Sequence, residues 1–173
     1  MAANQKSDST TAKNPTTIER ASDRELVVTR TFKAPARLVF QAWTTPALFQ
    51  RWWIPKSFGI TVISCEMDIR TGGGYRLVLG HPASEQPMAF FGRYIEVTPH
   101  SRLVWTNEEG GEDGAVTTVT LEEQGGMTLV VLRDLYPSKE ALDAAIASES
   151  TGGFGEQFEQ LAALLLTASV GGS

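Results

Sequence analysis

The stretch APARLVFQAWTTPALFQRWW, residues 34–53, and the stretch ISCEMDIRTGGGYR, residues 63–76, decide the fold. Three tryptophans (Trp43, Trp52, Trp53) and two phenylalanines (Phe40, Phe49) crowd onto two short helix-like pieces. A buried aromatic ring hides ~150–250 Å², so these pieces must pack against a large partner. After Pro35, which suits a first helical turn, Leu38, Val39, Ala42 and Trp43 fall on one helical stripe. Thr44-Thr45-Pro46 stops that helix and starts a second, ALFQRWW, which Pro55 closes. The period then changes to two. Ile63, Cys65, Met67 and Ile69 point one way, while Ser64, Glu66, Asp68 and Arg70 point the other. That pattern predicts a half-buried antiparallel strand, and Gly72-Gly73-Gly74 supplies the turn after it.

Outward from this centre, ELVVTRTFK (25–33) predicts a strand before the helices, rich in β-branched residues. Downstream, YRLVLG, FFGRYIEV, RLVWTNEE, AVTTVTLEE and MTLVVLRDL continue the meander, with a loop through Pro82 and Pro87 and glycine hairpins at 110–114 and 125–126. Seven strand-like segments result. Helix returns in EALDAAIASE, breaks at Gly152-Gly153, and resumes with Phe154, Phe158, Leu161 and Leu165 on one stripe and Glu156, Gln157, Glu159 and Gln160 largely outside it.

The chain's 173 residues suit one domain: a polar tail at 1–24, an ordered domain at 25–167 and a flexible end at 168–173. A net charge of −5 argues against nucleic acid as a partner, which demands a basic face. No apolar run approaches the ~18 residues of a membrane span. The single cysteine, Cys65, alternates with apolar neighbours, which predicts a buried thiol and a reducing, cytoplasmic setting. The polar opening residues contain no stretch of signal-peptide length.

Chemistry-bearing motifs are scarce. His81 and His100 lie beside prolines in predicted turns, no nucleophile elbow occurs, and two distant histidines with one cysteine make no metal site. The glycine clusters at 72–74 and 152–155 do not follow a strand and open a helix as phosphate loops do. No cofactor, metal or catalytic set is therefore expected. Glu66, Asp68 and Arg70 read as a solvated ladder. Arg93 and Glu96 face inward or outward according to a register that Gly92 could disturb.

The runs APARLVFQAWTTPALFQRWW, CEMDIRTGGGYRL, FFGRYIEVTPHSRLVWT, VTLEE and GFGEQFEQLAALL resemble, in order and spacing, the activator of Hsp90 ATPase homolog 1-like family of the START/Bet v 1-like superfamily. The resemblance spans roughly 25–167. It implies an α+β helix-grip fold: a curved antiparallel sheet of six to seven strands around a long C-terminal helix, with two short helices after the first strand. It also implies non-catalytic binding of a hydrophobic small molecule between sheet and helix. The expected lining is Trp43, Trp53, Phe58, Met67, Tyr75, Phe91, Arg93, Tyr94, Trp105, Phe154 and Phe158. Phe154 stands where the family often has tryptophan, a smaller ring that enlarges the cavity. Two other functions follow from the same resemblance. One is a chaperone-type interaction module linked to stress response. The other is a cyclase or hydratase using Arg93, Tyr94 or Glu96. Monomer and homodimer both remain open.

Overall fold

The computed structural model describes residues 16–108, 114–147 and 154–171. Strands β1 (Thr17–Arg20) and β2 (Glu25–Phe32) precede helices α1 (Ala36–Thr44) and α2 (Pro46–Trp53) and a 3₁₀ turn (Lys56–Phe58). Strands β3 (Thr61–Met67), β4 (Gly74–His81), β5 (Ser84–Thr98), β6 (Arg102–Thr106), β7 (Val116–Gln124) and β8 (Met127–Leu135) follow, then helices α3 (Lys139–Ala147) and α4 (Phe154–Gly171). All eight strands form one antiparallel sheet in the order β1-β2-β8-β7-β6-β5-β4-β3.

The sheet has one strand more than the seven expected, because Thr17–Arg20, in the stretch read as tail, pairs with Leu26–Thr29. All four of its residues are exposed, so the strand is held by backbone pairing rather than by an apolar face, and hydropathy patterning has nothing to detect. Residues 1–15 lie outside the described residues, as do all but Gly114 of the glycine hairpin expected at 110–114 and the break expected at Gly152-Gly153. Helix α4 runs through Gly171, beyond the expected end of the domain at 167.

Two bulges and one proline decide which side chains meet the core. The register of β3 against β4 shifts between Val62 and Ser64, which turns Ile63 outward, 59% exposed, and packs Val62 inward. Simple alternation puts Ile63 on the inner face, so the inserted residue reverses that assignment. A second shift, between Tyr94 and Glu96, leaves Ile95 exposed and brings Val97 back to the core. The expected loop through Pro82 and Pro87 is instead a tight turn followed by the long strand β5. Pro87, which lacks a ladder donor, falls where the β4/β5 register is irregular between Leu79 and His81.

Helix α4 lies across the inner face of the sheet. Phe154, Phe158, Leu161 and Leu165 are buried on it, as the stripe predicts. Phe158 meets Phe32 edge-on with ring centres 5.7 Å apart, and Trp43 at 6.4 Å. Arg30 of β2 reaches Glu159 of α4 at 2.9 Å, and Glu123 of β7 accepts the Ala36 N–H at 2.8 Å, capping α1.

At Gly92 in β5 the backbone of the neighbouring strand β6 occupies the place a side chain would take. A Cβ there would overlap the carbonyl of Thr106, so only glycine fits. Gly92→Ala should destabilise the fold by about 1–3 kcal/mol through forced separation of β5 and β6. Urea denaturation checks this, and an unchanged midpoint would contradict the packing described.

Candidate functional site

Helix α2 ends at Trp53, and the chain turns through Pro55. The carbonyls of Trp52, Trp53 and Ile54 are therefore left without intrahelical donors. Side chains from α4 supply them. Gln160 Nε2 donates to the carbonyls of Trp52 and Ile54, each at 2.9 Å, and Gln157 Nε2 donates to that of Trp53 at 2.5 Å. Gln160 Oε1 accepts the Lys56 N–H at 2.9 Å. Glu156 accepts the Ser57 N–H at 2.9 Å and its hydroxyl at 2.5 Å, which holds the carboxyl below its usual range. Glu156, Gln157 and Gln160, expected largely outside, thus face α2 and the 3₁₀ turn, and Gln157 is only 8% exposed. The signal was present: Gln157 lies three residues after Phe154, on the flank of its stripe.

This clamp sets the two neighbouring tryptophans of α2 to different tasks. Trp52 is fully buried, and its Nε1–H donates to the Ala42 carbonyl at 2.9 Å. Trp53 looks the other way, over an apolar cavity of about 200 Å³ between α2, the 3₁₀ turn and strands β3 to β6. Of the expected lining residues, the structure brings together Trp43, Trp53, Phe58, Met67, Tyr75, Tyr94 and Trp105. Phe58, 44% exposed, stands partly in solvent. Phe49 stacks on Trp53 at 5.0 Å and joins the wall, as do Cys65, Leu77, Leu79, Phe90, Asn107 and Gln157, none of which sequence reasoning named for it.

Four expected residues lie elsewhere. Phe90 rather than Phe91 faces the cavity, because Phe90, Gly92 and Tyr94 share one parity of β5 before its bulge. Arg93 therefore points outward, its side chain 68% exposed, and pairs with Glu108 at 2.9 Å. Phe154 and Phe158 belong to the filled core beneath α4, so the smaller ring at 154 does not enlarge the cavity. Glu96 pairs with Arg102 on the surface at 3.1 Å, which leaves Tyr94 alone of the three residues considered for a cyclase or hydratase.

Other candidates resolve simply. Asp68 and Arg70 form an exposed pair at 3.0 Å, and Glu66 is exposed. His81 accepts the Ala83 N–H, and His100 meets the Phe40 ring edge-on at 5.5 Å. Among the described residues no three His, Cys, Asp or Glu side chains gather as a metal site would need. No described helix is long and apolar enough to cross a membrane. Cys65 is half-buried on the cavity wall, and burial pushes its thiol up, against a hydrogen bond with Gln50 that pulls it down.

Comparison with known proteins now bears on this arrangement. The family profile described as activator of Hsp90 ATPase homolog 1-like protein matches residues 33–166. The chain belongs to that family. A Rhodobacter sphaeroides protein of known structure is 26% identical, superposes with a TM-score of 0.78, and aligns over 88% of this chain and 98% of its own. Protein CV1439 from Chromobacterium violaceum is 30% identical, with a TM-score of 0.67 over 82% of this chain and 96% of its own. Protein Ms6760 from Mycobacterium smegmatis is 25% identical, with a TM-score of 0.75 over 90% and 99%. No curated protein matches the chain.

On one wall of this activator-like domain a polar chain leads away from the cavity. Tyr75 donates its hydroxyl proton to the Thr106 carbonyl at 2.9 Å and stands 3.3 Å from Asn107 Oδ1. Asn107 Nδ2 donates to the Ala115 carbonyl and to Thr117 Oγ1, each at 2.9 Å. Thr117 in turn donates to Asp134 Oδ1 at 2.5 Å. Asp134 shares the inward face of β8 with Val130 and Leu132 and is 8% exposed. Alternation in MTLVVLRDL could have revealed it.

Burial pushes the Asp134 carboxyl from 3.8 up to about 6, against the opposing pull of the Thr117 hydrogen bond. Between these values the folded chain holds a proton that the unfolded chain has lost, so stability falls as pH rises through that window and levels off above it. Each pH unit is worth about 1.4 kcal/mol, so the total effect is about 3 kcal/mol. In denaturant titrations from pH 4 to 7, Asp134→Asn should gain that much relative to wild type. A constant difference across the range would contradict the burial argument.

Proposed function

We propose that this protein binds a small apolar molecule in the cavity beneath Trp53, without catalysing a reaction on it. The observation that carries the reading is unfilled volume in an otherwise densely packed aromatic core. Beneath α4 the rings of Phe32, Trp43, Trp52 and Phe158 pack together, but beside them about 200 Å³ stays open among Trp53, Phe49, Tyr94 and Trp105. Protein interiors normally leave few voids larger than a water molecule. An apolar cavity of about 150 Å³ can hold benzene, so this one suits a molecule of one or two rings. The family fold supports small-molecule binding or an interaction role in general terms. The cavity favours the first. Its walls offer π faces from several directions and few polar groups, which is the character of ligand pockets.

The chaperone-type interaction reading calls for an exposed apolar or charged patch. The exposed large hydrophobic residues here, among those described, include Ile18, Ile63, Ile95, Leu135, Ile146 and Leu166, which belong to six different elements.

Naphthalene is a suitable probe. Its binding should perturb tryptophan emission and shift NMR resonances of α2 and β3–β6. Trp53→Ala should weaken that binding by tenfold or more at modest cost in stability. Phe158→Ala, deep in the filled half, should instead cost about 3–5 kcal/mol of stability. Unaltered spectra at saturating naphthalene would contradict the proposal.

A further inference from the structure

The polar chain that reaches the cavity wall has a direction, and the direction selects a ligand. Both amide protons of Asn107 are committed, one to the Ala115 carbonyl and one to Thr117 Oγ1. Thr117 can accept from Asn107 because its own proton goes to Asp134. Asp134, as a carboxylate, only accepts, so it fixes the polarity of the whole chain. What Asn107 has left is Oδ1, which takes up one lone pair with the Tyr75 hydroxyl at 3.3 Å, a donor it shares with the Thr106 carbonyl at 2.9 Å. A carbonyl oxygen carries two lone pairs. Asn107 therefore stands on the wall of an apolar cavity with unused acceptor capacity.

Tyr94 adds the complementary group. It lines the same cavity, and burial pushes its phenol up, so it keeps its proton at every physiological pH. One wall thus holds an acceptor and a donor, while the α2 side is aromatic.

We infer that the cavity selects an apolar one- or two-ring molecule bearing a hydroxyl group, which donates to Asn107 Oδ1, with Thr117 and Asp134 as positioning residues that hold the amide in the accepting orientation. The inference rests on the cavity-binding reading above and names its ligand class. An acceptor with a spare lone pair on an apolar wall favours the ligand that donates to it over a shape-matched one that does not.

The test compares 2-naphthol with 2-fluoronaphthalene, which matches its shape but donates nothing. In calorimetric or NMR titrations wild type should bind 2-naphthol about threefold to tenfold more tightly. That ratio should collapse in Asn107→Leu and in Thr117→Val, and return in Thr117→Ser, which restores the hydroxyl. A purely structural role for Thr117 would weaken both compounds alike and leave the ratio intact. Equal wild-type affinities, or a ratio that survives Asn107→Leu, would overturn the inference while leaving the cavity reading standing. If neither compound binds at millimolar concentration, both fail. The wild-type ratio alone decides the matter if a variant does not fold.

Discussion

The three carbonyls at the end of α2 set the terms for the rest of the molecule. Pro55 prevents the helix from continuing, and Trp52, Trp53 and Ile54 would otherwise leave polar groups unpaired near the core. Gln157 and Gln160 of α4 close that deficit. The result is more than satisfied hydrogen bonds. It fixes the angle between the C-terminal helix and the short helix that roofs the sheet, with Trp52 turned into the core and Trp53 turned over the open volume. A single pair of amides thereby separates the packed half of the interior from the unpacked half.

That division explains why the aromatic residues do not behave as one set. Trp43 stands at the boundary, in ring contact with Trp52 and Phe158 on one side and with Trp53 and Trp105 on the other. Among the described residues its buried Nε1–H has no hydrogen-bond partner. Trp52 and Phe158 are fully enclosed and stabilise the fold. Trp53, Phe49, Tyr94 and Trp105 surround space instead of filling it. Gly92 contributes by omission: with no side chain, it lets the Thr106 carbonyl approach β5, where the Tyr75 hydroxyl also reaches it. The polar chain from Tyr75 to Asp134 starts at this point, so a backbone requirement and the proposed recognition surface share one location.

Much of the fold was legible because its elements follow simple periods. The stripe of Phe154, Phe158, Leu161 and Leu165, the two short helices rich in tryptophan and the alternation of β7 and β8 all behave as their spacing predicts. Periodicity failed where the backbone departs from it. The bulge at Ile63 turned an apolar residue outward, and the parity of β5 ahead of its own bulge put Phe90 in the cavity and Phe91 outside. Strand β1 escaped notice because backbone pairing leaves no mark on hydropathy. The polar members of the site were harder still. Asn107, Thr117 and Asp134 matter through a chain of hydrogen bonds between β7, β8 and the segment after β6, and such a chain depends on register that residue type alone does not reveal.

The central claim is that the volume beneath Trp53 is a binding site and not a packing imperfection. Native mass spectrometry of the protein as purified from cells, with a denatured control, tests it most directly. The account predicts a bound species of one- or two-ring size that is lost on denaturation, or, where the protein emerges empty, a one-to-one adduct with an added aromatic compound that Trp53→Ala abolishes. A protein that stays bare through exposure to a broad set of small aromatic compounds would contradict it.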